Sequence, residues 1–174
     1  MVWVTLFSQT GSEIVNVSRR LGRKPDLILT NNKNPTSWNP GIVEDKNNVL
    51  MLSVNDLHSH LMLYDRNCTI TLHGYMRILP PAVCNKFANI YNGHPGDILK
   101  YPDLKGKDPQ QKAFDKQYTD AGAVIHRVTA GVDEGPVQSY INNININGYD
   151  VGGIIQLLKV AQEELWVNFL RGKV

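Results

Sequence analysis

Cysteine is scarce in this chain. Cys68 and Cys84 are the only two among 174 residues, and they do not form a CxxC pair. That excludes a disulfide-stapled scaffold and a thiolate metal cage; both are expected to be free thiols, Cys68 in a buried strand and Cys84 near a helix start. An excess of one charge is also lacking. Eighteen basic residues face 16 acidic ones, a formal charge of +2, so no global field gathers a nucleic-acid duplex or an acidic membrane surface. The one local cluster, RRLGRK (Arg19 to Lys24), reads as a solvated helix end whose cations complement the dipole, with anion binding as the lesser alternative. No apolar run approaches a bilayer span, and MVWVTLF at the start shows neither a charged leader nor a cleavable apolar stretch; the expected compartment is the cytoplasm. Repeats, low-complexity tracts and linkers are absent too. A hydrophobic content of 42% suffices for one sizeable core, hence a single domain over 1–174, and is too little for two.

What the chain does contain is an alternation of short apolar runs with amphipathic or loop-like segments, the pattern of strands joined by crossover helices. WVTLF (Trp3 to Phe7), DLILTN (Asp26 to Asn31), VLMLSV (Val49 to Val54), TITLHGY (Thr69 to Tyr75) and NIYN (Asn89 to Asn92) are rich in β-branched and bulky apolar residues, as parallel strands covered on both faces require. Between the first two, SEIVNVSRRLG places Ile14, Val17 and Leu21 on one helical face and ends at Gly22, which gives a βαβ unit. Asn31 to Asn48 is full of Asn, Pro and Gly and reads mostly as loop. VIHRVT (Val124 to Thr129) and GPVQSYINN (Gly135 to Asn143), separated by GVDEG, suggest an antiparallel pair at one sheet edge. Val151, Ile154, Ile155, Leu158, Leu165, Trp166 and Phe169 recur at helical spacing and predict a long C-terminal helix over about 149–171. The expected class is α/β: a Rossmann-like, mostly parallel sheet flanked by helices, with an antiparallel edge.

Three polar residues on separate segments carry the chemistry. Asn92 and His94 lie in IYNGHPG and Asp133 in GVDEGP, where predicted strands run into loops. An amide, an imidazole and a carboxylate together can polarise a carbonyl and move a proton, as acyl transfer to an amine requires. SQTGS (Ser8 to Ser12) follows a strand and opens a helix, so its amides can face an anion, but it lacks a full GxGxxG and is a weak signal alone. In HGYMRILPPAV (His73 to Val83), spacing alone favours Met76, Ile78 and Leu79 as core residues. A lone histidine is usually structural, although Pro95 after His94 biases that loop toward a fixed extended geometry. The HSH pair His58 and His60 lacks matching carboxylate or cysteine ligands, so no metal is expected.

In order and separation these pieces resemble the folate-dependent formyltransferase family, from Ser8 to about Glu163. MRIL (Met76 to Leu79) is similar to the family's folate-pocket segment, NGHP to its NxHP motif, and GAVIHRVTAGVDEGPV (Gly122 to Val137) to its strand-loop-strand carrying an essential aspartate. The resemblance implies 10-formyltetrahydrofolate as donor cosubstrate, a small-molecule amine as acceptor, and a monomer or weak homodimer. It also implies that the pterin lies near Met76, Arg77, Ile78 and Leu79 and the backbone of Val128, Thr129, Ala130, Gly131, Val132 and Asp133. The acceptor would lie near Gly11, Ser12 and Glu13, with Glu163 as a ribose contact. In the expected chemistry Asn92 and a protonated His94 donate to the developing oxyanion, and Asp133 raises the pKa of His94 and relays a proton through water.

Several departures concern the acceptor. Where members acting on glycinamide ribonucleotide usually continue GSN, this chain has GSE, and Glu13 sets a carboxylate where a phosphate would be drawn. NDLHSHLMLYD (Asn55 to Asp65) has no arginine to match the one expected near the acceptor. NGHP continues as GDILKYP instead of through a serine and a Leu-Pro pair. The acceptor is therefore expected to be glycinamide ribonucleotide-like or a related nucleotide or amino-sugar amine. A formyltetrahydrofolate hydrolase and a catalytically silent binding module are the alternatives.

Overall fold

The computed structural model describes residues 1–174. Seven strands form one sheet: β1 (Trp3–Phe7), β2 (Leu27–Thr30), β3 (Val49–Met51), β4 (Thr69–Leu72), β5 (Ile90–His94), β6 (Asp120–Arg127) and β7 (Val137–Asn145). Their spatial order is β3-β2-β1-β4-β5-β6-β7. The first five pair in parallel, and β6 and β7 close that side antiparallel. The helices are α1 (Ser12–Leu21), α2 (Pro40–Glu44), α3 (Val54–Leu61), α4 (Pro81–Lys86), α5 (Pro109–Asp115) and α6 (Val151–Leu170). The mostly parallel sheet with an antiparallel edge is the expected class.

Strand β1 is buried along its whole length, and its period of two divides the core. Val4 and Leu6 pack with Leu57 and Leu61 of α3 and with Phe87, whereas Trp3 packs with Val17 of α1 and Trp166 of α6. Helix α6 starts at Asp150, whose carboxylate accepts from the Gly153 amide at 2.8 Å and satisfies one otherwise orphaned donor. Its Ile154, Leu158, Leu165 and Trp166 are buried, but Ile155 remains exposed. Gly93 lets α6 approach the sheet: a Cβ there would stand 2.6 Å from Gln162 Nε2 and 2.7 Å from Trp166 Nε1.

Several boundaries differ from expectation; β6 begins at Asp120 instead of Val124, and β7 runs Val137–Asn145 instead of Gly135 to Asn143. The run read as a strand over Val49 to Val54 ends at Met51, because Ser53 Oγ accepts from the Asp56 amide at 3.2 Å and starts α3. The strand of TITLHGY ends at Leu72, while β5 extends to His94. The Asn/Pro-rich stretch is mostly loop, with short turns at Pro35–Ser37 and Lys46–Asn48 around the five-residue α2. Both thiols are free and buried, Cys68 immediately before β4 and Cys84 within α4.

Candidate active site

Asn92, His94 and Asp133 come together at the carboxyl end of β5. Asn92 and His94 project from that strand, and Asp133 reaches back from the β6–β7 connection. His94 Nδ1 is 3.3 Å from Asp133 Oδ2, and His94 Nε2 donates to the Leu104 carbonyl at 2.8 Å. Asp133 Oδ2 also accepts from the Gly106 amide at 2.9 Å. The Asp133 backbone is left-handed, φ 52°, a conformation aspartate tolerates better than most residues and which turns its carboxylate toward the strand ends.

A fourth residue belongs to this group and was not singled out in the sequence. His126 on β6 is paired in register with Asn92. Its Nε2 lies 3.2 Å from both Asn92 Nδ2 and Asp133 Oδ1, and its Nδ1 donates to the Arg127 carbonyl at 3.0 Å. With one proton arrangement Nε2 can accept from Asn92 or donate to Asp133, not both. The sequence signal for it was a polar residue in an otherwise apolar strand, VIHRVT.

The electrostatics correct one expectation. Burial, the largest influence on His94, lowers its pKa below the ordinary imidazole value; Asp133 and the Leu104 carbonyl push upward without overcoming it. His94 is therefore not held as an imidazolium by Asp133, and both its ring nitrogens already face partners. For Asp133, burial pushes upward, but the His126 hydrogen bond, the His94 charge and the Gly106 N–H outweigh it and keep the carboxyl below its usual value. Asp133 is thus an ionised carboxylate beside an imidazole that burial biases toward its neutral form.

These groups open into a cavity of about 740 Å³ lined by Met76, Arg77, Ile78 and Leu79 on one side and by Val128, Thr129, Gly131 and Val132 on another. Met76, Ile78 and Val132 are exposed, so the first two are not the core residues that spacing alone favoured, whereas Leu79 is buried. Ala130, expected among these contacts, does not line the cavity. Ile155, the exposed apolar residue of α6, does.

The far end is formed by Gly11, Ser12 and Glu13 at the start of α1. Gly11 is left-handed, φ 73°, and a Cβ there would meet Ile42 at 2.8 Å, so the turn needs glycine on both counts. Glu13 is held by His73 and Gln162 rather than by the cations of RRLGRK. His73 Nδ1 donates to Glu13 Oε2 at 2.7 Å, and Gln162 Nε2 donates to Oε1 at 2.8 Å. Behind it, His73 Nε2 and Thr71 Oγ1 are 2.9 Å apart, and the Trp3 indole N–H donates to Thr71 Oγ1 at 2.9 Å. Meanwhile Arg20 pairs with Glu164, Arg23 with Asp26 at 2.9 Å and Lys24 with Asp45 at 3.5 Å.

Glu163, expected to face the acceptor, is turned away. Its Oε1 accepts from Asn16 Nδ2 of α1 at 2.7 Å, and it does not line the cavity; Gln162 and Lys159 of α6 do. Neighbouring helix residues point about 100° apart, so a one-residue slip in the reading is enough to miss the cavity face. His58 and His60 hydrogen-bond to the hydroxyls of Tyr75 and Tyr64 at 3.0 and 3.1 Å.

A small-molecule crevice outside the carboxyl ends of parallel strands, with an amide, two imidazoles and a carboxylate converging on it, defines an α/β protein equipped for acyl or proton transfer. The family model described as Formyl transferase matches residues 53–160, more than half of the chain and the stretch that carries Asn92, His94, His126 and Asp133. The chain belongs to the formyl transferase family.

Solved structures show the same fold. Phosphoribosylglycinamide formyltransferase from Streptococcus pneumoniae has a TM-score of 0.82 at 17% identity, over 99% of this chain and 98% of that one. Glycinamide ribonucleotide transformylase 1 from Geobacillus kaustophilus gives 0.78 at 22%, over 99% and 98%. A formyltetrahydrofolate deformylase from Pseudomonas syringae pv. tomato gives 0.80 at 18%, over 98% of this chain and 60% of that one. A comparison with curated protein sequences gives no match. No helix is long and apolar enough to cross a membrane.

Proposed function

We propose that this protein transfers a formyl group from 10-formyltetrahydrofolate to a primary amine on a glycinamide ribonucleotide-like, nucleotide or amino-sugar acceptor. The observation that carries the reading is the convergence of Asn92, His94, His126 and Asp133 within hydrogen-bonding distances at the mouth of one cavity, inside the stretch matched by the family. The pterin lies against Met76 to Leu79 and the backbone of Val128 to Val132, where apolar walls and main-chain groups supply the contacts.

The amine nitrogen attacks the formyl carbon and a C–N bond forms, placing negative charge on the formyl oxygen. Asn92 Nδ2 carries two hydrogens, of which His126 can take one; the other meets the oxyanion. The proton lost by the attacking amine enters the gap between His94 Nδ1 and Asp133 Oδ2. Neutral His94 is ready to accept it there, and the adjacent carboxylate stabilises the imidazolium that results. The bond from the formyl carbon to folate N10 then breaks, and N10 takes that proton. His126, whose Nδ1 donates to the Arg127 carbonyl, presents Nε2 as the acceptor that orients Asn92.

Incubation with 10-formyltetrahydrofolate, with and without candidate amines, tests the proposal. Formylated amine supports it, free formate alone indicates hydrolysis, and an unconsumed donor indicates a silent binding module.

A further inference from the structure

We infer that Lys112 of α5, which does not line the cavity, is a positioning residue for the proton-transfer pair and acts on Asp133 through the Lys105–Gly106 peptide group. The inference rests on the transfer reading above and adds to it a residue outside the cavity.

One peptide unit joins an ammonium to the active-site carboxylate. Lys112 Nζ donates to the Lys105 carbonyl at 2.8 Å, and the N–H of the same peptide, that of Gly106, donates to Asp133 Oδ2 at 2.9 Å. The peptide is trans, so its C=O and N–H point in opposite directions and the two charges lie on opposite sides of it. A cation on the oxygen strengthens the N–H as a donor, because hydrogen bonds in a chain polarise one another. The acceptor is a carboxylate, which makes the bond one of the stronger kind. Asp133 Oδ2 is also the oxygen 3.3 Å from His94 Nδ1. The peptide therefore sets where the counter-charge of His94 stands.

The residue before this peptide serves the other member of the pair. The Leu104 carbonyl accepts from His94 Nε2 at 2.8 Å, so residues 104 to 106 hold both His94 and Asp133, and Lys112 holds the middle of that segment. Its Nζ also lies 3.4 Å from the Asp103 carbonyl. One turn further on, Lys116 pairs with the Asp103 carboxylate at 2.6 Å, the Tyr118 hydroxyl donates to the same group, and Tyr118 stacks on Tyr101. Those contacts secure the chain before Leu104 without Lys112. What Lys112 supplies is a charge on the Lys105 oxygen. The electrostatics agree: the Gly106 N–H is among the influences that hold Asp133 ionised. On His94, burial, His126 and Lys112 oppose protonation, while Asp133 and the Leu104 carbonyl favour it.

Lys112→Met keeps the aliphatic stem and removes the ammonium, whereas Lys112→Arg keeps the charge and its donors. Amide NMR spectra of the intact protein read the Gly106 N–H without any substrate. In Lys112→Met that resonance should move upfield while those of Tyr101 and Tyr118 stay. Turnover should fall roughly tenfold, with KM for 10-formyltetrahydrofolate unchanged within about twofold. The acid limb of kcat/KM should move to higher pH, because a charge that opposes protonation of His94 is gone; loss of the Asp133 charge moves it the other way. Lys112→Arg should match the wild type in all three. A Gly106 resonance or a kcat that Lys112→Met leaves unchanged overturns the inference. So does a Lys112→Met protein whose amides from Tyr101 to Tyr118 all lose dispersion, since Lys112 would then support the segment in general, and so does a Lys112→Arg protein that falls as far as Lys112→Met. A wild type that transfers no formyl group refutes the transfer reading, and the Gly106 resonance still decides whether Lys112 acts on Asp133.

Discussion

Replacing Asp133 by Asn tests the proton path most directly. The carboxylate is the one group that raises the His94 pKa by charge, across a gap of 3.3 Å between side chains only 6% and 10% exposed. Opposite unit charges at that separation attract by about 5 kcal/mol with an effective dielectric near 20. The Asn amide retains a dipole and some water enters, so the change in His94 will be smaller than that figure implies, but its direction is downward. The sign follows from the role. Neutral His94 is the active form, so kcat/KM climbs as pH rises through its pKa, and that acid limb should move to lower pH in Asp133→Asn. A less basic His94 without its counter-charge is also a poorer proton acceptor, so turnover at the optimum should fall by about 10² to 10⁴. The assay is kcat/KM for 10-formyltetrahydrofolate across pH with a saturating amine. An acid limb that stays in place or moves upward would refute the pairing of His94 with Asp133 as the proton acceptor.

Asn92→Ala should lower kcat by roughly a hundredfold to a thousandfold while leaving the affinity for folate nearly unchanged, because an oxyanion donor acts mainly in the transition state; a near-normal kcat would remove that role. Gly93→Ala should cost about 1–3 kcal/mol through the clash with Gln162 and Trp166, read as a lower midpoint in urea, and an unchanged midpoint would show that α6 can shift. Burial pushes the Cys68 thiol up to about 11, with Asp65 adding to it, and raises Cys84 as well. Both should therefore resist iodoacetamide at pH 8 in the folded protein and react after denaturation, and fast native labelling of either would contradict the packing.

The sequence by itself determined the alternation that builds the fold. Buried runs such as WVTLF could only be strands covered on both faces, and the spacing of Ile154, Leu158, Leu165 and Trp166 required a long helix. It also singled out Asn92, His94 and Asp133 as candidates, because their motifs lie where apolar runs give way to polar segments, and the fold brings the three side chains into one group. What it could not give was anything that depends on which residue faces which across the sheet. His126 joined the site only because the β5–β6 register sets it opposite Asn92. Glu163 and Gln162 are neighbours in the chain, yet helix rotation sends one to Asn16 and the other to the cavity. The sign of the His94 shift was hidden for the same reason: a nearby carboxylate is visible in a motif, but the burial that outweighs it is assembled from the whole fold. Local pattern fixes elements because periodicity is a property of consecutive residues. Partners, protonation and ligand preference are properties of distances between segments, such as the 149 positions that separate Glu13 from Gln162, and only tertiary packing sets those.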